Sequence, residues 1–221
     1  MALLARVGND LSEHGLHFSH AGLVLRDHPS GRWRIWHLLN RCGTDDAGLH
    51  VEGLFHYFAG HLTRQDAKIV FLEPRLEQEL LSTLADGRAQ RLFDPRYNVL
   101  ARPGSPRTQN STAYLLEWLA TAEHGLTSGH RADAWRELAP EFSPDRIHVA
   151  WGKRVLAGVA MQNVDFTDHS VATRLRGDYP VVTVRSILRY LQQRQLATGA
   201  VLVRKGRTEE VPVSQDRPVL H

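Results

Sequence analysis

Short apolar runs separated by turn residues open the chain. LLARV (3–7) reads as a strand and GNDLSEHG as the polar turn after it. SHAGLVLRD (19–27) and RWRIWHLLN (32–40) flank HPSG, and two such runs about a Pro-Ser-Gly turn predict a hairpin. GLHVEGL (48–54) predicts another strand, then an aromatic helical turn, FHYF, and AKIVFLEP (67–74) a strand ended by Pro74. From there the period lengthens. Pro74 suits a first helical position, Leu76, Leu80, Leu81 and Leu84 follow at helical spacing, and Gly87 stops the run. YNVLA (97–101) reads as a short strand and RPGSPRTQ as a loop. NSTAYLLEWLATAEHG predicts a helix capped by Asn110 or Ser111, with Leu115, Leu116 and Leu119 inward. Further helices are expected over 131–139 and in VRSILRYL, where Val184, Ile187, Leu188 and Leu191 form the apolar stripe; the latter follows a short strand, YPVV. GAVLVRKG (199–206) closes the strand set. VAWGKRVLAGVAM lacks a clean period and fits helix or strand alike. Strands in antiparallel hairpins plus several helices make an α+β layout, an antiparallel sheet packed by helices. A single domain over 1–206 and a tail over 207–221 are expected, with no internal repeat.

Composition narrows the possibilities. A chain of 221 residues is long enough to bury roughly 70% of its unfolded surface without staples. Its formal charge is only +3, and arginine is dispersed while lysine is confined to Lys68, Lys153 and Lys205. No basic stripe of the kind nucleic acid requires is formed. No apolar stretch is long enough to span a membrane. The opening MALLARVGNDLSEHG lacks the basic and long apolar regions of a signal peptide, and begins almost inside a strand, as a trimmed chain would. Cys42 is the one cysteine, so pairing within the chain is impossible.

Candidate chemistry concentrates in two phrases. In FSHAGLVLRD, His20 heads a strand, and Ala21 and Gly22 leave room beside its ring. A turn centred in DHPS would set His20 opposite His37 on the neighbouring strand, close enough for one ring to orient the other. In QNSTAYLLEWLA, Ser111 opens a helix, where free N–H groups and the helix dipole favour an anionic nucleophile and an oxyanion. Serine at that position is equally a plain cap. Gln109 and Asn110 stand beside it as further oxyanion or substrate-binding candidates. Cys42 is an alternative nucleophile or a small buried hydrophobe. In DFTDH, Asp165 and Asp168, three apart, fit a turn or helix cap as well as a metal or base role, and Asp168 with His169 is a further candidate for contact with His20. Thirteen histidines invite a metal reading, but His14, His17 and His20 pair with no second cluster at ligand spacing, so no metal and no cofactor is expected. Neither a phosphate loop nor a G-x-S-x-G elbow is present.

RVGNDLSEHGLHFSHAGLVLRDHPSGRWRIWHLLNRCGT, YNVLARPGSPRTQNSTAYLLEWLATA, NVDFTDHS and VVTVRSILRYL together resemble the bacterial domain of unknown function 2145 family over nearly the whole chain. More remotely, FSHAGLV resembles the "sHvGi"-like histidine strand of circularly permuted NlpC-type amidases, relatives of papain, and Asn110-Ser111 their "NC" phrase. His37 falls where those enzymes keep the polar residue that orients the base. The likeness implies a permuted papain-like fold with Ser111 as nucleophile, His20 as general base and His37 as orienter. It implies a hydrolase or acyl-transfer enzyme for an amide or ester, with a small peptide, ester or cell-wall substrate; the resemblance to the domain of unknown function 2145 family implies a periplasmic or envelope location. Serine in place of cysteine departs from that pattern, because an alcohol lacks the low pKa of a thiol. The alternative is a binding domain that keeps the arrangement without the chemistry.

Overall fold

The computed structural model describes residues 1–41, 44–59, 64–150 and 163–216. They form an α+β fold divided into two compact units, the first of 1–37, 50–82 and 184–221, the second of 38–49 and 83–183.

The first unit is built on a seven-stranded antiparallel sheet in the order β4-β3-β2-β1-β5-β8-β9. The strands are β1 (Ala2–Arg6), β2 (His20–Leu25), β3 (Arg34–Asn40), β4 (Ala47–Gly53), β5 (Ala67–Leu72), β8 (Ala197–Arg204) and β9 (Arg207–Glu210). All six residues of β2 are buried, as expected of a strand covered on both faces. One face carries Leu4, Val24, Ile35 and Ala67, clustered with Tyr57 of α1 (Leu54–Ala59), whose hydroxyl donates to Leu4 O at 2.9 Å. Leu3, Ala5, Leu23, Leu25, Val70 and Leu72 alternate with these and are also buried. Helices α2 (Pro74–Ala85) and α7 (Val184–Gln193) complete the unit. The apolar stripe of α7 is buried at Val184, Ile187, Leu188 and Leu191, as its spacing predicts. In α2, Leu76 and Leu80 are buried while Leu81 faces outward.

Residues 207–210, where a tail was expected to begin, pair with β8 as β9. Beyond them Lys68, wholly buried on β5, donates to Pro212 O (2.8 Å) and Gln215 O (2.6 Å), and Asp216 accepts from His17 N at 3.0 Å. A buried ammonium needs such acceptors, and the chain near 212–216 supplies them.

The second unit centres on α4 (Ser111–Glu123), of which twelve residues are buried. Its run is mostly apolar around the whole circumference, as in a helix placed inside a protein, and the polar Thr112, Glu117 and Thr121 are buried with it. The unit also holds α3 (Arg88–Arg91), α5 (Arg131–Leu138), which packs on α4, α6 (Val171–Arg176), and a two-stranded ladder of β6 (Asp145–His148) with β7 (Asp178–Val181). The strand expected over 97–101 does not form. Tyr97 makes only an isolated bridge to Gln109, and the Asn98 side chain bonds Asp165 and Leu100 instead. An asparagine that satisfies backbone groups with its own amide competes with ladder pairing. Residues 151–162, most of the segment without a clean period, lie outside the described residues, as does Cys42.

Candidate functional site

Two sheet strands of the first unit bring His20 and His37 together. Leu23 pairs with Trp36 and Val24 with Ile35. Continuing that register sets Gly22, not His20, opposite His37. The imidazoles are therefore diagonal neighbours, offset by two residues from the direct pairing expected from the turn, and still on one face. Their rings meet: His20 Nε2 and His37 Nδ1 are 2.8 Å apart, with centroids 5.1 Å apart and planes at 64°. Gly22 permits the approach, since a Cβ there would fall 2.9 Å from His37 Cβ and 2.7 Å from Trp36 O.

The pair sits in a row of polar groups laid across four strands. Arg6 of β1 is directly opposite His20. Glu52 of β4 places Oε2 3.3 Å from His37 Nε2, within ion-pair range but not aligned as a hydrogen bond. Tyr57 covers both rings, with centroids 5.1 Å from His37 and 5.8 Å from His20, and Arg6 lies 4.9 Å over its own ring. His20 and His37 are 7% and 2% exposed. Burial holds His20 well below the ordinary histidine range, with His37 and Arg6 adding to the effect. It brings His37 down to about 3, helped by His50 and Arg6. Both rings are thus neutral near pH 7, and one proton lies between them.

In the second unit Ser111 is the first residue of α4, and Asn110 is its cap. Asn110 Oδ1 accepts from Ala113 N (2.7 Å) and Thr112 Oγ1 (3.0 Å), and Nδ2 donates to Val99 O (3.2 Å). The capping role falls to Asn110, so Ser111 is not needed for it. Among the described residues none accepts from the Ser111 backbone N–H. Burial raises the Tyr97 hydroxyl to about 12, with the Ser111 side chain opposing the shift.

Gln109 takes a different part from the one expected. Its amide donates to Leu92 O (3.0 Å) and Glu117 Oε2 (2.5 Å), and its carbonyl accepts from Asp94 N (3.0 Å). Both N–H groups are engaged, so the side chain has none left for an oxyanion. Glu117 is wholly buried and also takes Arg131 Nε (3.0 Å) and Trp135 Nε1 (2.6 Å). Burial raises its pKa, opposed by Arg131 and the bonds it accepts. Arg131 extends the network to Ser105 O and Thr108 O, both at 2.9 Å, bracing the loop that leads to Ser111.

Asp168 braces the same loop, accepting from Arg102 N (2.8 Å), Ser105 Oγ (2.6 Å) and Thr108 Oγ1 (3.1 Å). His169 Nε2 donates to Leu100 O at 2.6 Å. These two residues hold backbone distant along the chain in place, while the turn itself is capped by Asp165, whose side chain accepts from Thr167 N at 2.7 Å. Among the described residues, no group of three His, Cys, Asp or Glu side chains is arranged to hold a metal ion.

The sequence reading missed Arg6, Glu52, Tyr57, Tyr97 and Arg131. Glu117 carried a signal, as the one carboxylate in the apolar run YLLEWLA; a charge there must be buried and paired.

A family model described as "Uncharacterized protein conserved in bacteria (DUF2145)" matches residues 1–191. The chain belongs to this family. No curated protein and no solved structure matches it. The DUF2145 match includes the histidine pair, Glu52, Tyr97, Ser111 and the Glu117 network, and ends within α7. None of the described helices is long and apolar enough to cross a membrane.

Proposed function

We propose that this DUF2145 protein is a hydrolase or acyl-transfer enzyme for an amide or ester, with Ser111 as nucleophile, His20 as general base and His37 as orienter. The observation that carries this reading is the 2.8 Å contact between two buried, neutral imidazoles. A neutral histidine held by a second polar ring is the base–orienter half of a nucleophilic site. Two features of the other unit support it. Ser111 starts a helix whose cap is a different residue, and its N–H has no acceptor among the described residues, as an oxyanion donor requires. The remote likeness to permuted NlpC-type amidases extends the proposal to a papain-like arrangement and peptide substrates of the cell wall, and the likeness to the DUF2145 family extends it to a periplasmic or envelope location.

A second reading, a binding domain without chemistry, draws on the same burial. A base held well below the histidine range takes up a proton weakly at neutral pH. Reaction with a fluorophosphonate probe separates the two. Labelling of the intact chain that is lost in both Ser111→Ala and His20→Ala is the expected result. No labelling of the intact chain, or labelling that survives Ser111→Ala, overturns the hydrolase reading.

A further inference from the structure

Glu52 is a group that neither the sequence reading nor the three proposed catalytic roles employ. It stands at the end of the row Arg6, His20, His37, Glu52, each on its own strand and all in the first unit. Among the described residues His37 Nε2 is buried without a hydrogen-bond partner, and a Glu52 carboxylate oxygen stands 3.3 Å from it. A carboxylate oxygen at that distance repels a nitrogen lone pair and attracts an N–H. We infer that Glu52 sets the tautomer of the histidine pair, placing the His37 proton on Nε2 and thereby leaving Nδ1 as the open nitrogen of His20.

The remaining steps follow from proton counting. With Nε2 of His37 protonated, its Nδ1 is an acceptor. The 2.8 Å contact needs one proton, which His20 Nε2 must supply. His20 is neutral, so its Nδ1 bears the lone pair. Resting on the hydrolase reading, that atom is the one that takes the proton from the nucleophile, and Glu52 acts as a positioning residue through His37. The other groups around the pair do not compete for this role. Arg6 is a cation facing His20 from β1, Tyr57 of α1 directs its hydroxyl to Leu4 O, and His50 of β4 lies with its ring centroid 6.1 Å from that of His37.

Long-range ¹H–¹⁵N correlation spectra of histidine-labelled protein near pH 7 read the tautomer directly. His37 is assigned by loss of its signals in His37→Asn. The intact chain is expected to show His20 and His37 both protonated at Nε2. Glu52→Gln, whose amide oxygen still faces the N–H, is expected to keep that pattern. Glu52→Ala is expected to move His37 toward the Nδ1-protonated form. A His37 protonated at Nδ1 in the intact chain, or an unchanged pattern in Glu52→Ala, overturns the inference. The spectra need no activity. Loss of fluorophosphonate labelling with the tautomers as stated removes the hydrolase reading alone, and the reverse outcome removes Glu52 alone.

Discussion

Replacing His37 by asparagine tests whether burial of the pair makes the protein sensitive to mild acid. Asparagine puts an amide near where Nδ1 stood, so a contact to His20 Nε2 survives while one titratable group is lost. In the folded chain His37 titrates at about 3, against about 6.5 once unfolded. The unfolded chain therefore binds the extra proton first as pH falls. The contribution is fully present above about pH 6.5 and is lost progressively down to the folded value. Each histidine that must charge on unfolding costs about 1.4 kcal/mol per pH unit in that window. That is large against a typical total of about 5–15 kcal/mol. His20, shifted in the same direction, steepens the fall further. Urea unfolding of both proteins at several values between pH 7.5 and 5 gives the slopes. Below about pH 6.5 the intact chain should lose stability with acid faster than His37→Asn, by a slope that approaches about 1.4 kcal/mol per pH unit, and above it the two slopes should differ little. The difference cancels the titrations of Asp216, Glu117, His17 and His169, which both proteins share. Equal slopes below about pH 6.5 would refute the assignment of a buried, neutral His37.

Two substitutions probe the scaffolds. In Gly22→Ala, the new methyl would stand 2.7 Å from Ile35 Cγ2 and from Trp36 O, so β2 and β3 must part; a loss of about 1–3 kcal/mol in urea titration is expected, with the two imidazoles drawn apart. Glu117→Leu leaves Arg131 and Gln109 facing an apolar group where a carboxylate accepted from both, and should cost about 3–5 kcal/mol, read as a lowered urea midpoint.

Local pattern went far in this chain. Alternation and turn residues located β2, β3 and β5, Pro74 marked the start of α2, and the spacing of Val184, Ile187, Leu188 and Leu191 named the buried stripe of α7. The two histidines on neighbouring strands, and a helix beginning at Ser111, were legible for the same reason: both follow from period and caps within a few residues. What the sequence left open depends on partners distant along the chain. The β2–β3 register sets Gly22 rather than His20 opposite His37, two residues from the pairing expected from the turn, and the close approach of the strands there leaves no room for a side chain at Gly22. Gln109 lost its expected role because Glu117 and Leu92 claim its amide, and Asn98 broke the strand at 97–101 because Asp165, far along the chain, receives its side chain. Glu52 meets His37 only once β4 lies beside β3. Periodicity is a property of neighbours in sequence and can be read there. Hydrogen-bond partners and tautomers are set by neighbours in space, and the folded chain alone chooses those.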